Sequence, residues 1–302
     1  MSVPRAVVPG RTYMITRRCS ERRFFLRPDR ETNNAFIYCL AVAAQKYGVK
    51  VIFTVTMSNH HHTGVVDSEG NLPDFLAHFH KLVAKHQNAL RGRWEAMWAP
   101  EQTSAVELVQ PQDVFEKMVY AFVNPVADHL VEKVHHWPGV SSLQAMEAGK
   151  PLTAHRPKVF FRSDGDMPAT VSLPLFMPPD LALSTRAEFI AGLQKRIVAA
   201  EQDAASERSA SGRHIVGRAV VRGQHWNESP RSREPRRLLD PRVACQSTWR
   251  RIEALARNRV WLDAYRRARQ AFIEGLAVIR FPAGTYWLRR YAGVDCELPE
   301  GP

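Results

Sequence analysis

Apolar and polar positions follow regular patterns along most of the first 150 residues. Four segments have the alternation or β-branched content of strands: "RTYMITRRC", "VKVIFTVTM", "HHHTGVVD" and "SAVELV". Three others have apolar residues at helical spacing: "DRETNNAFIYCLAVAAQKYG", "LPDFLAHFHKLVAKHQNAL" and "PQDVFEKMVYAFVNPVADHLVEK". The order is β-α-β-β-α-β-α, and the second and third strands are joined tightly. The pattern therefore predicts an α+β fold in which helices back an antiparallel sheet.

The second half of the chain is less regular. "TRAEFIAGLQKRIVAAEQDAAS" and "ACQSTWRRIEALARNRVWLDAYRRARQAFIEGLAV" predict helices, and "GTYWLRRY" is compatible with a final strand. A compositional break at Pro174–Ser184, and segments of low hydrophobicity at Ser206–Arg213 and in the following "NESPRSREPRRLLDPR", indicate loops or arms. We therefore expect a first domain over residues 1–150 and a mostly helical, basic extension over residues 151–302.

The charge of the chain is strongly positive. Its 302 residues include 42 Lys and Arg against 30 Asp and Glu, a net of +12. Residues 1–150 contribute 17 basic and 14 acidic side chains, and residues 151–302 contribute 25 and 16. A protein this basic usually binds a polyanion, most often a nucleic acid, although charge can also serve solubility alone.

Cysteine and hydropathy patterns point to the cytoplasm. None of the four cysteines belongs to a C-x-x-C pair, so we expect reduced thiols rather than a zinc ribbon. The N-terminus lacks the apolar core of a signal peptide, and no run reaches the roughly 18 apolar residues that cross a membrane. We expect a cytoplasmic protein that does not act at a membrane.

The histidine run of "TMSNHHHTGVVD" opens the third predicted strand. Alternate side chains of a strand share a face, so His60 and His62 would point one way and His61 the other. Two imidazoles on one face can bind a cation if another part of the fold supplies a further ligand. The alternative is three exposed or hydrogen-bonded histidines at the start of a strand.

The third predicted helix offers such a ligand. Tyr120 and Asn124 are four residues apart, on one edge of the apolar stripe. Pro125 disfavours helical geometry at Asn124, which predicts a kink or weak point there. The alternative is a boundary tyrosine followed by a helix-breaking Asn-Pro pair. A tyrosine can be a covalent nucleophile, and a divalent cation can polarise a phosphate. In a basic protein, these parts together describe cleavage and joining of strands through a phosphotyrosine.

Three stretches resemble the single-tyrosine HUH transposases, in particular the REP-associated tyrosine transposases among the insertion-sequence transposases. (HUH denotes His, a bulky hydrophobic residue, His.) "RTYMITRR" is similar to the family's Y-H-V-T-x-R, and "VIFTVTMSNHHHTGVV" to its strand ending M-P-N-H-V-H-L-L. "YAFVNPVADHLVEKVHHWPGVSSL" is similar to Y-I-x-x-N-P-V-R-A-G-L-V and a Y-P-W-S-S-like segment. The resemblance covers about residues 9–150, in the family's order.

The resemblance implies a site and a reaction. His60, His62 and Asn124 match the family's metal ligands, and Tyr120 matches its nucleophile, on a ferredoxin-like palm. The implied cofactor is Mg²⁺ or Mn²⁺, and the implied substrate is single-stranded or hairpin DNA. Tyr120 would form a 5′-phosphotyrosine and free a 3′-hydroxyl, and a 3′-hydroxyl would later reverse the step. A homodimer, in which a partner chain supplies the tyrosine, is an alternative arrangement.

Several positions depart from the family pattern. His61 stands where the family has a hydrophobic residue, Ser58 replaces Pro, and Thr63-Gly64 replaces a Leu pair. Met14 replaces the His of the opening motif, and Ala127 stands where the family often has Arg. These departures favour keeping two alternatives: a catalytically silent, domesticated DNA-binding protein and, less favoured, a zinc-dependent hydrolase.

The basic extension has its own candidates for DNA contact. Between Arg213 and Arg269 there are 15 Arg, no Lys and 5 Asp or Glu. Arginine binds phosphate in a bidentate manner, and aromatic rings stack on unpaired bases. The helical spacing of Trp261, Tyr265 and Phe272 instead favours packing for the aromatic residues. The candidate nucleic-acid-binding residues are Arg17, Arg18, Arg231, Arg233, Arg236 and Arg237.

Overall fold

A five-stranded sheet forms the centre of the protein. The structure is a computed structural model that describes residues 3–178, 185–232 and 241–298. Its strands are β1 (Arg11–Arg18), β2 (Val49–Thr56), β3 (His60–Asp67), β4 (Ser104–Leu108) and β7 (Val243–Ala244). The spatial order is β2-β3-β1-β4-β7. The first four strands pair antiparallel, and β7 pairs parallel with β4. A separate antiparallel hairpin is formed by β5 (Leu152–His155) and β6 (Thr170–Leu173).

The helices lie between and after these strands. They are α1 (Arg30–Tyr47), α2 (Leu72–Leu90), α3 (Pro111–Ala127), α4 (Leu143–Glu147), α5 (Arg186–Ser211), α6 (Arg218–Gly223), α7 (Thr248–Ile273) and α8 (Trp287–Ala292). The β1-α1-β2-β3-α2-β4 order, with β1 between β3 and β4, is the split βαβ arrangement of ferredoxin-like folds. The predicted α+β class, an antiparallel sheet backed by helices, is confirmed.

Local signals set the ends of α1. The Asp29 carboxylate accepts a hydrogen bond of 2.7 Å from the backbone N–H of Thr32, which satisfies a free donor of the first turn. Gly48 ends the helix in the left-handed conformation, with a φ of 63°. The strand that follows therefore begins at a defined residue.

Each face of the sheet carries its own core. Helices α1 and α2 cover the face of Tyr13 and Ile15, while α3 and α5 cover the face of Met14 and Phe53. The alternation of β1 thus divides its side chains between two helical layers. Phe53 meets Phe122 of α3 at a ring-centroid distance of 6.0 Å, which helps to seat α3 on the sheet.

Residues after 150 pack against the first half. The two residues of β7 extend the sheet beyond β4, α5 packs on α3, and the β5–β6 hairpin packs on α1. Backbone hydrogen bonds from Glu107 N to Arg242 O and from Val109 N to Ala244 O, of 2.9 and 3.5 Å, hold β7 in place. The central sheet therefore takes strands from both predicted regions.

Two expectations about the second half are wrong. Gly284–Tyr291 does not form a strand, because α8 runs through it and places Trp287 and Tyr291 in a stacked pair at helical spacing. Ser206–Arg213 is not a loop, since α5 continues to Ser211 and ends at Gly212, which has a φ of 64°. In the Pro174–Ser184 segment, residues 179–184 lie outside the described part of the chain.

The kink or weak point predicted at Asn124 does not end α3 there. Helix α3 continues through Asn124 and Pro125 and ends at Ala127. The carbonyl of Pro125 accepts hydrogen bonds from the backbone N–H groups of Leu130 and Val131, which turn the chain away.

Two predictions concern membrane spans and the state of the cysteines. None of its helices is both long enough and apolar enough to span a bilayer. The four cysteines are free thiols, and Cys19, Cys39 and Cys245 are buried.

Candidate active site

The β1–β3 pairing places the three histidines. His60, His61 and His62 lie opposite Arg18, Arg17 and Thr16, respectively. The side chains of His60 and His62 reach Asn124 of α3, whereas His61 reaches His80 of α2 on the other face.

Two histidines and one amide converge where β3 meets α3. Asn124 Nδ2 lies 3.0 Å from His62 Nε2 and 3.4 Å from His60 Nε2. The two imidazole centroids are 4.8 Å apart. Asn124 is buried, with 9% of its surface exposed to solvent. The packing of α3 therefore holds its amide against the two imidazoles.

Tyr120 lies one helical turn before Asn124 and beside the same histidines. Its ring centroid is 5.5 Å from that of His62, and the residue is 54% exposed. Lys117 Nζ lies 5.4 Å from the tyrosine ring centroid. All four predicted site residues come together within one chain, so their assembly requires no second copy.

Hydrogen bonds from behind orient both imidazoles. His60 Nδ1 is 2.7 Å from Asn59 Oδ1, and His62 Nδ1 is 2.9 Å from Thr16 Oγ1. An amide oxygen only accepts, so His60 Nδ1 carries the hydrogen and its Nε2 has a lone pair. The Thr16 hydroxyl can accept from His62 in the same way. Both Nε2 lone pairs then face the Asn124 amide. A rotation of this amide by 180° exchanges its nitrogen and oxygen, so that Oδ1 faces the same space.

The electrostatics of the site keep the imidazoles neutral. Burial, together with the positive charge of Arg18, lowers the pKa of His60 to about 3. Burial and the neighbouring His60 also hold the pKa of His62 well below its ordinary value. Neutral imidazole is the form that binds a metal ion.

The donor set of two imidazole nitrogens and one amide oxygen fits a divalent cation. Hydrogen bonds to Nδ1 are the usual support of metal-bound histidines. Within the described residues, no group of three or more His, Cys, Asp or Glu side chains could hold a metal. The side chain that reaches both imidazoles is the amide of Asn124, whose oxygen is the third atom able to bind a cation there.

His61 belongs to the opposite core. It is fully buried, its Nδ1 lies 3.0 Å from Thr63 Oγ1, and its Nε2 lies 3.1 Å from His80 Nε2. Its ring meets Phe36 and Phe79 edge-on. A histidine can be buried at this position because both ring nitrogens have partners.

The packing also accounts for the unusual Gly64. This residue lies opposite Phe53 in the β2–β3 pair, and a Cβ atom on Gly64 would overlap the Phe53 ring. The aromatic ring of Phe53 thus occupies the space that a side chain at position 64 would fill.

Of the predicted DNA-contacting arginines, Arg17, Arg18 and Arg231 lie in the described part of the chain, and Ser232, next to Arg231, accepts hydrogen bonds from Arg22. Arg18 is exposed and pairs in register with His60, while Arg17 lies on the opposite face, 6.0 Å from the Trp98 ring, and donates to Thr103 Oγ1. Arg231 is exposed. Three further candidates lie outside the described residues: Arg233, Arg236 and Arg237.

The sequence patterns did not single out the two residues behind the imidazoles. Thr16 lies within the predicted opening strand and Asn59 just before the histidines, and neither carries a pattern of its own. The available signal for Thr16 was its position on an alternating strand, on the face of Met14. Its pairing with His62 depends on strand register, which the local pattern leaves open.

Comparisons with known proteins give limited similarity. No family model matches the chain, and no curated protein matches it. The chain is similar to a solved structure described as "Structure of the REP associates tyrosine transposase bound to a REP hairpin". The identity is 16%, the match covers 49% of this chain and 86% of that one, and the TM-score is 0.42.

Proposed function

We propose that this protein is a DNA transposase or endonuclease that cleaves and rejoins single-stranded DNA through Tyr120. One observation carries the proposal: His60, His62 and Asn124 converge beside an exposed tyrosine, with the Asn124 amide 3.0 and 3.4 Å from the two imidazoles. We assign Mg²⁺ or Mn²⁺ to these three side chains. A cation bound there would polarise the scissile phosphate and neutralise developing charge.

The reaction is a reversible transfer of a phosphoryl group. The Tyr120 oxygen bonds to phosphorus and loses its proton, and the bond from phosphorus to the DNA 3′-oxygen breaks. The products are a 5′-phosphotyrosine and a 3′-hydroxyl, which takes up a proton. Attack by a 3′-hydroxyl on the phosphotyrosine reverses the exchange, joins the strands and frees Tyr120.

The charge around the site suits a polyanionic substrate. Arg18 and Arg22 act electrostatically on His60, and Lys117 lies beside Tyr120. The net charge of +12 favours association with DNA at long range. A 54% exposed tyrosine is accessible to a phosphate of a large substrate.

The test is covalent trapping of labelled hairpin DNA carrying a single-stranded flank, in the presence of Mg²⁺ or Mn²⁺. We expect wild-type protein to form an adduct that resists denaturation, and Tyr120→Phe to form none. Tyr291→Phe is the matched control, because Tyr291 is 71% exposed and lies on α8. An adduct that persists in Tyr120→Phe would sink the assignment of the nucleophile.

Two other outcomes identify the alternatives. Tight hairpin binding without an adduct under any divalent metal would indicate the catalytically silent DNA-binding protein. Stoichiometric zinc, with activity retained in Tyr120→Phe, would indicate the zinc hydrolase.

A further inference from the structure

A cavity of about 890 Å³ opens on the face of the sheet away from Tyr120. It lies between α2, the segment of residues 3–7, α7 and the start of α8. Tyr13 and Ala105 form its floor, on the face covered by α1 and α2. Its volume is in the range of pockets that hold small molecules.

One wall of the cavity is aromatic and well supported. The rings of Trp261 and Tyr265 stack with centroids 5.3 Å apart and an interplanar angle of 20°. Trp261 Nε1 donates a hydrogen bond of 2.7 Å to the carbonyl of Ala283, and Tyr265 packs on Phe281. Tyr286 and Trp287 also line the cavity. These flat rings form a platform on which another ring can stack.

The cavity is also positively charged. Arg5, Arg17, Arg266 and Arg269 line it, and none of its described lining residues is Asp or Glu. Arg266 also forms an ion pair of 3.6 Å with Asp263 on α7. Arg17 is held in place by hydrogen bonds to Thr103 Oγ1 and to the carbonyl of Ala99. Arg269 is exposed and makes no ion pair or hydrogen bond within the described part of the chain. Its guanidinium is therefore available to an anionic ligand.

We propose that this cavity binds an unpaired nucleotide of single-stranded DNA. The base stacks on the Trp261–Tyr265 platform, and the phosphates pair with Arg17 and Arg269. An apolar ligand would leave the Arg269 guanidinium without an anionic partner, and an acidic peptide would not use the platform. A nucleotide satisfies both. The choice of DNA rests on the proposed function.

The position of the cavity gives the bound nucleotide a role. Arg17 lines the cavity and lies opposite His61 in the β1–β3 register. The next residue of β1 is Arg18, which lies opposite His60, beside the candidate active site. The two sites thus lie on opposite faces at the same end of β1. A strand that passes around this end of the sheet would be held in the cavity while Tyr120 acts on the other face.

The main test measures binding of a fluorescent oligo-dT strand of about twelve nucleotides. Fluorescence anisotropy is followed over a series of salt concentrations in a Tyr120→Phe background, so no adduct can form. We expect Arg269→Ala to weaken binding about five- to ten-fold and to lower the salt slope by about one. Arg267→Ala is the matched control, since this exposed neighbour on α7 makes the same charge change outside the cavity. Equal losses in the two variants would overturn the proposal.

A second measurement locates the base. Strands that contain 5-iododeoxyuridine are cross-linked by light, and the modified peptides are sequenced. We expect cross-links at Trp261, Tyr265 or Trp287; cross-links confined to other regions would overturn the proposal. Competition by dTMP as strong as that by the strand would likewise overturn it, because the site would then recognise a free nucleotide.

The two proposals fail separately. If wild-type protein forms no adduct while Arg269→Ala selectively weakens strand binding, the cavity assignment stands and the catalytic one falls. If the adduct depends on Tyr120 but Arg269→Ala and Arg267→Ala behave alike, the reverse holds.

Discussion

Thr16 Oγ1 lies 2.9 Å from His62 Nδ1, and this contact decides which imidazole nitrogen faces Asn124. It exists because β1 and β3 pair with Thr16 directly opposite His62. The candidate metal site is therefore oriented by the strand that carries the first family-like motif, although that strand supplies no proposed ligand.

Thr16→Val removes this hydrogen bond with little change of shape. We expect the half-saturating Mn²⁺ concentration for adduct formation to rise about ten- to a hundred-fold, as for other losses of support to metal-bound histidines. Thr16→Ser is the control, because it keeps the hydroxyl. Unchanged metal dependence in Thr16→Val would show that the contact does not position His62.

His61→Leu places a hydrophobic residue between His60 and His62. It leaves the buried His80 Nε2 and Thr63 hydroxyl without their His61 partner, which should cost about 1–3 kcal/mol in the free energy of unfolding. Urea denaturation measures that loss, and the double variant His61→Leu/His80→Leu should recover part of it. Adduct formation by folded protein should persist, since His61 faces away from Tyr120; its abolition would contradict the separation of the faces.

Gly64→Ala tests the fit between β2 and β3. The added methyl group overlaps the Phe53 ring, so we expect a destabilisation of about 1–3 kcal/mol in thermal or urea unfolding. Gly192→Ala is the matched control. It lies within α5, where the nearest side-chain atom to a new Cβ is 3.9 Å away, and should stabilise the protein by up to about 1 kcal/mol. Loss of stability in both variants would contradict the packing argument.

His86 predicts a dependence of stability on pH. Burial, aided by the charge of Arg91, lowers its folded-state pKa to about 4, against about 6.5 in the unfolded chain. The unfolded chain therefore binds the proton first, and the contribution of His86 is lost progressively as the pH falls from about 6.5 to about 4.

The His86→Leu variant should lose less stability between pH 7 and pH 5 than wild type, by about 2 kcal/mol, from roughly 1.4 kcal/mol per pH unit. Urea unfolding at the two pH values measures this difference. The exposed His155, replaced by Gln, is the control. Equal pH slopes in wild type and His86→Leu would contradict the expectation.

Local chemistry made parts of this molecule predictable. The cap at Asp29 and the stop at Gly48 act within a few residues, and the two-residue period of a strand separates His61 from its neighbours. The distance from Asn124 to His62 is different in kind. It depends on how α3 packs on the sheet, which the residues left open between two alternatives and the family resemblance implied.

Tertiary contacts explain what the patterns missed. The Trp and Tyr residues of "GTYWLRRY" have high strand propensity, yet their stacking at i and i+4 fits a short helix ended by Gly293. The aromatic cavity combines α2, α7 and residues near the N-terminus. Segments so far apart in sequence give no periodic signal of their meeting.

The pairing of β7 with β4 joins segments that are translated at different times. The outer edge of β4 stays unpaired until Val243 and Ala244 have been translated, because they supply the next strand. Roughly 130 residues separate the two strands, which at about 5–20 residues per second is a delay of roughly 6–26 s. During that interval the nascent chain exposes an open sheet edge, so the newborn protein depends on the prompt arrival of its own later segments to avoid pairing with other chains.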